Sequence, residues 1–203
     1  MNVVAEMPGR AKRLKAATTE AHERLDQRIM AAAPFANRER YALFVQVQHQ
    51  FHRDIDALYD NAVLDALLPD LQGRRRLPLI VNDLQDLGQD APVSDAPPVF
   101  GGKIDIPTAL GWLYVAEGSN LGAAFLLKEA AKLDLTESFG ARHLAAAPEG
   151  RGLHWRTFTA ALDASQLTDD EEQRVIAGGT AAFVRVRGLV EALMPLSSKS
   201  ETA

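Results

Sequence analysis

Apolar residues recur at three- and four-residue steps along most of this chain, the signature of helices with one buried face. Leu14, Thr18, Ala21, Leu25 and Ile29 mark such a face on a helix over 10–31. Pro34 breaks the chain, and Asn37 is placed to cap a second helix over about 38–60. Its inner face carries Tyr41, Phe44, Val45, Gln48, Phe51, Ile55, Leu58 and Tyr59. A shorter helix is predicted over 61–68. Another starts near Asp70, is interrupted or restarted at Pro78, and ends at Gly88. Residues 89–103 hold three prolines and two glycines and read as a surface loop. Pro107 opens a long apolar helix to about Leu133. Residues 136–151 read as irregular, 152–164 as a helix. Thr168 and Glu171 form a capping box that starts a last helix ending near Leu193. No segment alternates with period two over a strand's length. The expected fold class is all-α: one compact domain of seven or eight helices over 10–193, between flexible ends at 1–9 and 194–203.

The long helix departs from a simple stripe. GWLYVAEGSNLGAAFLLKEA (111–130) is apolar nearly all round and holds Gly111, Gly118 and Gly122. A glycine inside a helix costs about 1 kcal/mol relative to alanine. Gly118 and Gly122 are four apart and lie on one face, which Gly111 and Val115 continue. Two readings stay open: close packing of another helix through small residues, or a flat ligand laid against the bared backbone.

Composition narrows the chemistry. The 203 residues include no cysteine, which removes disulfides, thiolate metal sites and a cysteine nucleophile. A net charge of -5 gives no reason to expect nucleic acid. No apolar run approaches the roughly 18 residues of a membrane span, and the N-terminus lacks a signal pattern, so a cytoplasmic protein is expected. Arg10, Lys12, Arg13 and Lys15 form a basic cluster able to meet anionic groups or an acidic partner.

The chain has five histidines. His49, His52 and Asp56 have metal-ligand spacing but read as structural or surface residues of an amphipathic helix. No Glu-x-x-His motif supports a di-iron bundle. His143 and His154 read as packing or capping residues near helix ends. No nucleophile elbow, P-loop or dinucleotide fingerprint is present, and Ser119 has no partners for a triad. His22 stands beside the buried face of the first helix, two turns or about 10 Å after Lys15. A haem needs an imidazole on one side, clearance on the other, and cations for its propionates. His22, Gly118 with Gly122, and Lys15 offer these three things.

At these residues the chain resembles the bacterial biliverdin-producing haem oxygenases. AKRLKAATTEAHERLD (11–26) is similar to that family's proximal helix, and ALGWLYVAEGSNLGAAFLLK (109–128) to its distal helix. FGARHL (139–144) and Gly150, Arg151, His154, Trp155 and Phe158 add to the likeness. The resemblance implies a single all-α domain with heme b between a proximal and a kinked distal helix. It implies O2- and reductant-dependent cleavage of haem to biliverdin, carbon monoxide and ferrous iron, for iron acquisition or biliverdin supply. Haem would be both cofactor and substrate, and a ferredoxin or flavoprotein reductase the electron donor. His22 would bind the iron. Gly118 and Gly122 would let the distal helix approach, with Ser119 and Asn120 in the O2 pocket. Lys15 would meet a propionate, Tyr114 a propionate or the haem edge, and Phe183 would line the pocket. Many family members carry an Asp directly after the first distal glycine; here Ser119 stands there. The proton path would then use backbone carbonyls, Ser119, Asn120, or Arg142 folded inward. The alternative is a haem carrier or sensor of the same fold without turnover.

Overall fold

A computed structural model describes residues 8–196. Of the flexible ends expected at 1–9 and 194–203, residues 1–7 and 197–203 lie outside them. Seven α-helices make up the described part: α1 (Arg10–Ala31), α2 (Arg38–Ile55), α3 (Ala62–Leu67), α4 (Leu77–Asp86), α5 (Ile106–Ala131), α6 (Arg151–Ala164) and α7 (Asp169–Leu193). No strand occurs among the described residues; Thr136 forms isolated bridges with Phe139 and Gly140. The expected all-α class therefore holds.

Local chemistry sets the helix ends. Asn37 accepts the Arg40 N–H at 2.8 Å and starts α2. Thr168 and Glu171 close the capping box of α7. Gly88, at φ +67°, ends α4 in a Schellman motif, with Gln89 N–H on Leu84 O and Gly88 N–H on Gln85 O. The predicted second helix divides: α2 stops at Ile55, and Asp56–Asp60 continue as a 3₁₀ segment that still buries Leu58 and Tyr59.

The core is built on α5, which packs along α7, and on α1, which also lies against α7. The α5–α7 crossing is close because three glycines meet there. A Cβ on Gly111 would fall 2.1 Å from Val175 O and 2.5 Å from Gly179 N. One on Gly178 would fall 2.3 Å from Thr108 O. Arg10 is buried rather than free. It bonds Glu172, Leu162 O and Ser165 O, tying α1 to α6 and α7. Arg13 also pairs with Glu172, so two of the four cations in the basic cluster are committed to a partner within the fold. The loop over 89–103 is not free either. Phe100 is buried edge-on against Trp112, its N–H reaches Asp54 O, and Arg53 holds Ala96 O.

Candidate functional site

A cavity of about 760 Å³ opens between α1, α5 and α7, within the range of small-molecule and cofactor sites. From α1 come Lys15 and His22; from α5 come Tyr114, Gly118, Ser119, Asn120 and Gly122; from α7 comes Phe183. The residues singled out in the sequence thus share one space.

His22 lies on the exposed side of α1, with Nδ1 3.3 Å from Asp26 Oδ2, one turn on. The carboxylate lies on the Nδ1 side of the ring, so Nε2 is the ring nitrogen turned away from it. The ring meets Phe183 edge-on at 5.7 Å. Lys15 is exposed at the rim.

The second half of α5 faces His22 across the cavity. A Cβ on Gly122 would meet nothing within 4 Å, and one on Gly118 only the Trp155 ring at 3.7 Å. No protein neighbour therefore requires either residue to be glycine. Gly111 is the opposite case, and the two readings of the glycine face divide along the helix. Upstream it packs a helix; downstream it bares backbone to a cavity. Whatever bend α5 makes at its glycines lies inside one continuous helix. Leu121 and Phe125 line the same cavity yet stay 45% and 55% exposed, an apolar rim with no protein cover.

Behind Gly118 the helix is anchored. Glu117 is buried, pairs with Arg74 at 2.6 Å and lies 3.3 Å from His154 Nε2. His154 Nδ1 bonds Glu149 at 2.7 Å. The Glu117 bond, helped by Glu149, outweighs burial and raises the His154 pKa above its ordinary value. Tyr114 packs on Trp155, which stacks on Phe158. Burial raises the Tyr114 phenol pKa above its ordinary value.

The inner end of the cavity is polar. His52 from α2, Arg76 ahead of α4, and His143 from a 3₁₀ turn (Arg142–Leu144) line it. All three are buried, and His52 Nδ1, Arg76 Nε and His143 Nε2 have no hydrogen-bond partner among the described residues. Desolvation, with His143, Arg76 and His49 nearby, pushes His52 down to about 3. The sequence reading missed this cluster. It placed His49 and His52 as structural or surface residues; both are buried, and Asp56 is turned away onto Arg75. Arg142, one of several alternatives for the proton path if it folded inward, is paired with Asp83 and Asp86. The available signal was His143 in FGARHL; Arg76, third in a run of three arginines, offered none.

An all-α domain whose central cavity sets an imidazole against a glycine-bared helix defines a protein built for a flat ligand with a metal at its centre. The Heme oxygenase family model matches residues 9–192, and the chain belongs to that family. It is 43% identical over 182 residues to heme oxygenase PigA of Pseudomonas aeruginosa, covering 90% of this chain and 91% of the relative. The NO- and CO-bound heme oxygenase of Neisseria meningitidis superposes with a TM-score of 0.87 at 40% identity, over 97% and 98% of the two chains. The heme oxygenase of Leptospira interrogans shares the fold at a TM-score of 0.71 and 18% identity, over 92% of this chain and 100% of that one. No helix among the described residues is long and apolar enough to cross a membrane.

Proposed function

We propose that residues 10–193 form a cytoplasmic heme oxygenase domain that binds heme b between α1 and α5 and opens it to biliverdin. Carbon monoxide and ferrous iron are released, O2 is consumed, and electrons come from a ferredoxin or flavoprotein reductase. The observation that carries the reading is Gly122, with Gly118 beside it: helix glycines that no protein atom requires, facing His22 across an apolar-rimmed cavity.

The residues fit a haem. His22 Nε2 is the free imidazole donor and Asp26 orients the ring. Phe183 fixes the ring edge-on. Lys15 offers its ammonium to a propionate at the rim, and Tyr114 closes the haem edge beside Trp155. Gly118 and Gly122, with no side chain to hold a ligand off, would let the α5 backbone approach the haem face. Ser119 lines the cavity and donates its hydroxyl hydrogen to Ala116 O at 2.7 Å. Asn120 lines the same side, its backbone oxygen held by Arg151 at 2.8 Å. Haem, once bound, supplies both the iron at which O2 is reduced and the macrocycle that is broken. A neutral imidazole lacks the electron push of a thiolate, which suits attack on the ring over oxygen–oxygen cleavage.

His22→Ala is expected to abolish axial ligation while the helical circular dichroism persists, because the side chain is half exposed and carries little packing. The ferric Soret spectrum of the haemin-titrated variant checks this. A spectrum identical to the wild type's would remove His22 as the ligand.

A further inference from the structure

We propose that His143, held by Asp83, is the group that gives protons to the cavity on the α5 side of the bound haem. The assignment rests on the haem-cleaving reading and goes beyond it by naming the donor. Oxygen reduction consumes protons, and the cavity's obvious hydroxyl is already committed. The Ser119 hydrogen lies on Ala116 O, and the Asn120 carbonyl is taken by Arg151.

His143 is differently placed. It is 5% exposed, and its Nδ1 lies 2.7 Å from Asp83 Oδ2, which also accepts the His143 backbone N–H at 2.9 Å. Burial alone would raise the Asp83 pKa. The His143 ring and the backbone N–H groups of His143 and Arg142 outweigh it and hold Asp83 below the usual carboxylate range. An ionised Asp83 keeps a hydrogen on Nδ1, so proton exchange falls to Nε2. That atom is buried, unpartnered among the described residues, and belongs to a residue lining the cavity. The turn that carries His143 is fixed against the ligand-facing part of α5. Arg151 reaches Asn120 O with one nitrogen and Leu144 O, the residue after His143, with the other.

The neighbours divide the labour. His52 has no carboxylate behind it, and desolvation with His143, Arg76 and His49 holds its pKa near 3. It stays neutral, able to accept on one nitrogen and donate from the other, but not to hold a charge. Arg76 brings a fixed positive charge that opposes protonation of His52. Of the three, only His143 has a carboxylate against its ring, Asp83, which Arg142 pairs together with Asp86 from behind. In the step, the Nε2–H bond breaks and the proton passes to an oxygen acceptor in the cavity. The electron pair stays on Nε2, and the neutral ring keeps Nδ1–H on Asp83 until solvent returns a proton.

The test compares wild type, His143→Gln and Asp83→Asn by haemin titration, haem consumption against pH, and nitrogen-15 NMR of the haem-free protein. His143→Gln is expected to bind haemin within about twofold of wild type, to consume it about 100-fold more slowly, and to lose one limb of the pH profile. In the haem-free protein, Asp83→Asn is expected to lose the protected His143 Nδ1–H signal, and after loading to share the kinetic defect. Wild-type rate and pH profile in His143→Gln would overturn the assignment. So would a slowing matched by equal loss of haemin affinity, which marks a structural role. A wild type that binds haemin without consuming it would overturn the haem-cleaving reading, and the proton donor with it.

Discussion

Gly111→Ala is expected to lower stability by about 3 kcal/mol or more, whereas Gly122→Ala is expected to raise it by up to about 1 kcal/mol. The two sites are eleven residues apart on one helix, and intrinsic propensity favours alanine equally at both. Their surroundings decide. At Gly111 the new methyl lands 2.1 Å from Val175 O and 2.5 Å from Gly179 N. Both are backbone atoms of α7, so no rotamer relieves the clash and two helices must separate. Overpacking of side chains alone costs roughly 1–3 kcal/mol, and a backbone collision lies at or above that range. At Gly122 nothing stands within 4 Å, so the helix keeps its gain. That gain should carry a functional cost: the methyl enters the cavity and weakens haemin binding, by about tenfold if it costs the complex about 1.4 kcal/mol. Urea titration of the haem-free variants, followed by haemin titration, reads both signs. Equal destabilisation by the two changes would mean that Gly122, too, packs protein.

Glu117→Ala is expected to cost about 3–5 kcal/mol, because it strands a buried guanidinium. Arg74 and Glu117 are 2% and 1% exposed at the side chain and 2.6 Å apart. Replacing both by methionine should recover much of the loss, since a well-packed apolar pair escapes the desolvation of two charges. The variant also removes the buried carboxylate beside His154, whose pKa the fold raises. A raised histidine pKa stabilises the fold fully below the unfolded value of about 6.5 and loses that contribution as pH climbs through the folded value. The wild-type thermal midpoint should therefore fall on the alkaline side of pH 6.5, and the fall should shrink in Glu117→Ala. An unchanged alkaline slope in the variant would show that Glu117 does not hold the His154 proton.

What the sequence discloses is what depends on near neighbours along the chain. The stripe Leu14–Thr18–Leu25 is buried as its spacing predicts, and the Asn37 cap and Thr168 box form because their partners lie three residues away. The glycine face is only half legible. Spacing places Gly111, Gly118 and Gly122 together but cannot say that α7 covers the first and nothing covers the last. The run Arg74–Arg75–Arg76 shows the same limit. Arg74 goes inward to Glu117, Arg75 outward to Asp56 and Asp60, and Arg76 to the cavity. Their partners lie on other elements, so nothing within the run itself tells the three arginines apart. His143 was hidden likewise, because Asp83 is 60 residues away. The cavity-lining residues are legible because two long motifs, around His22 and around Gly118 and Gly122, carry the family resemblance.

The most direct test of the central claim is one spectral experiment. The purified protein is loaded with one equivalent of haemin, reduced with ascorbate or a ferredoxin system, and exposed to O2 while the Soret band is followed. A heme oxygenase loses the Soret band, gains a broad red absorption and yields an extractable open-chain tetrapyrrole. A Soret band that shifts to a stable oxy form and persists would contradict the account and leave a haem carrier or sensor in its place.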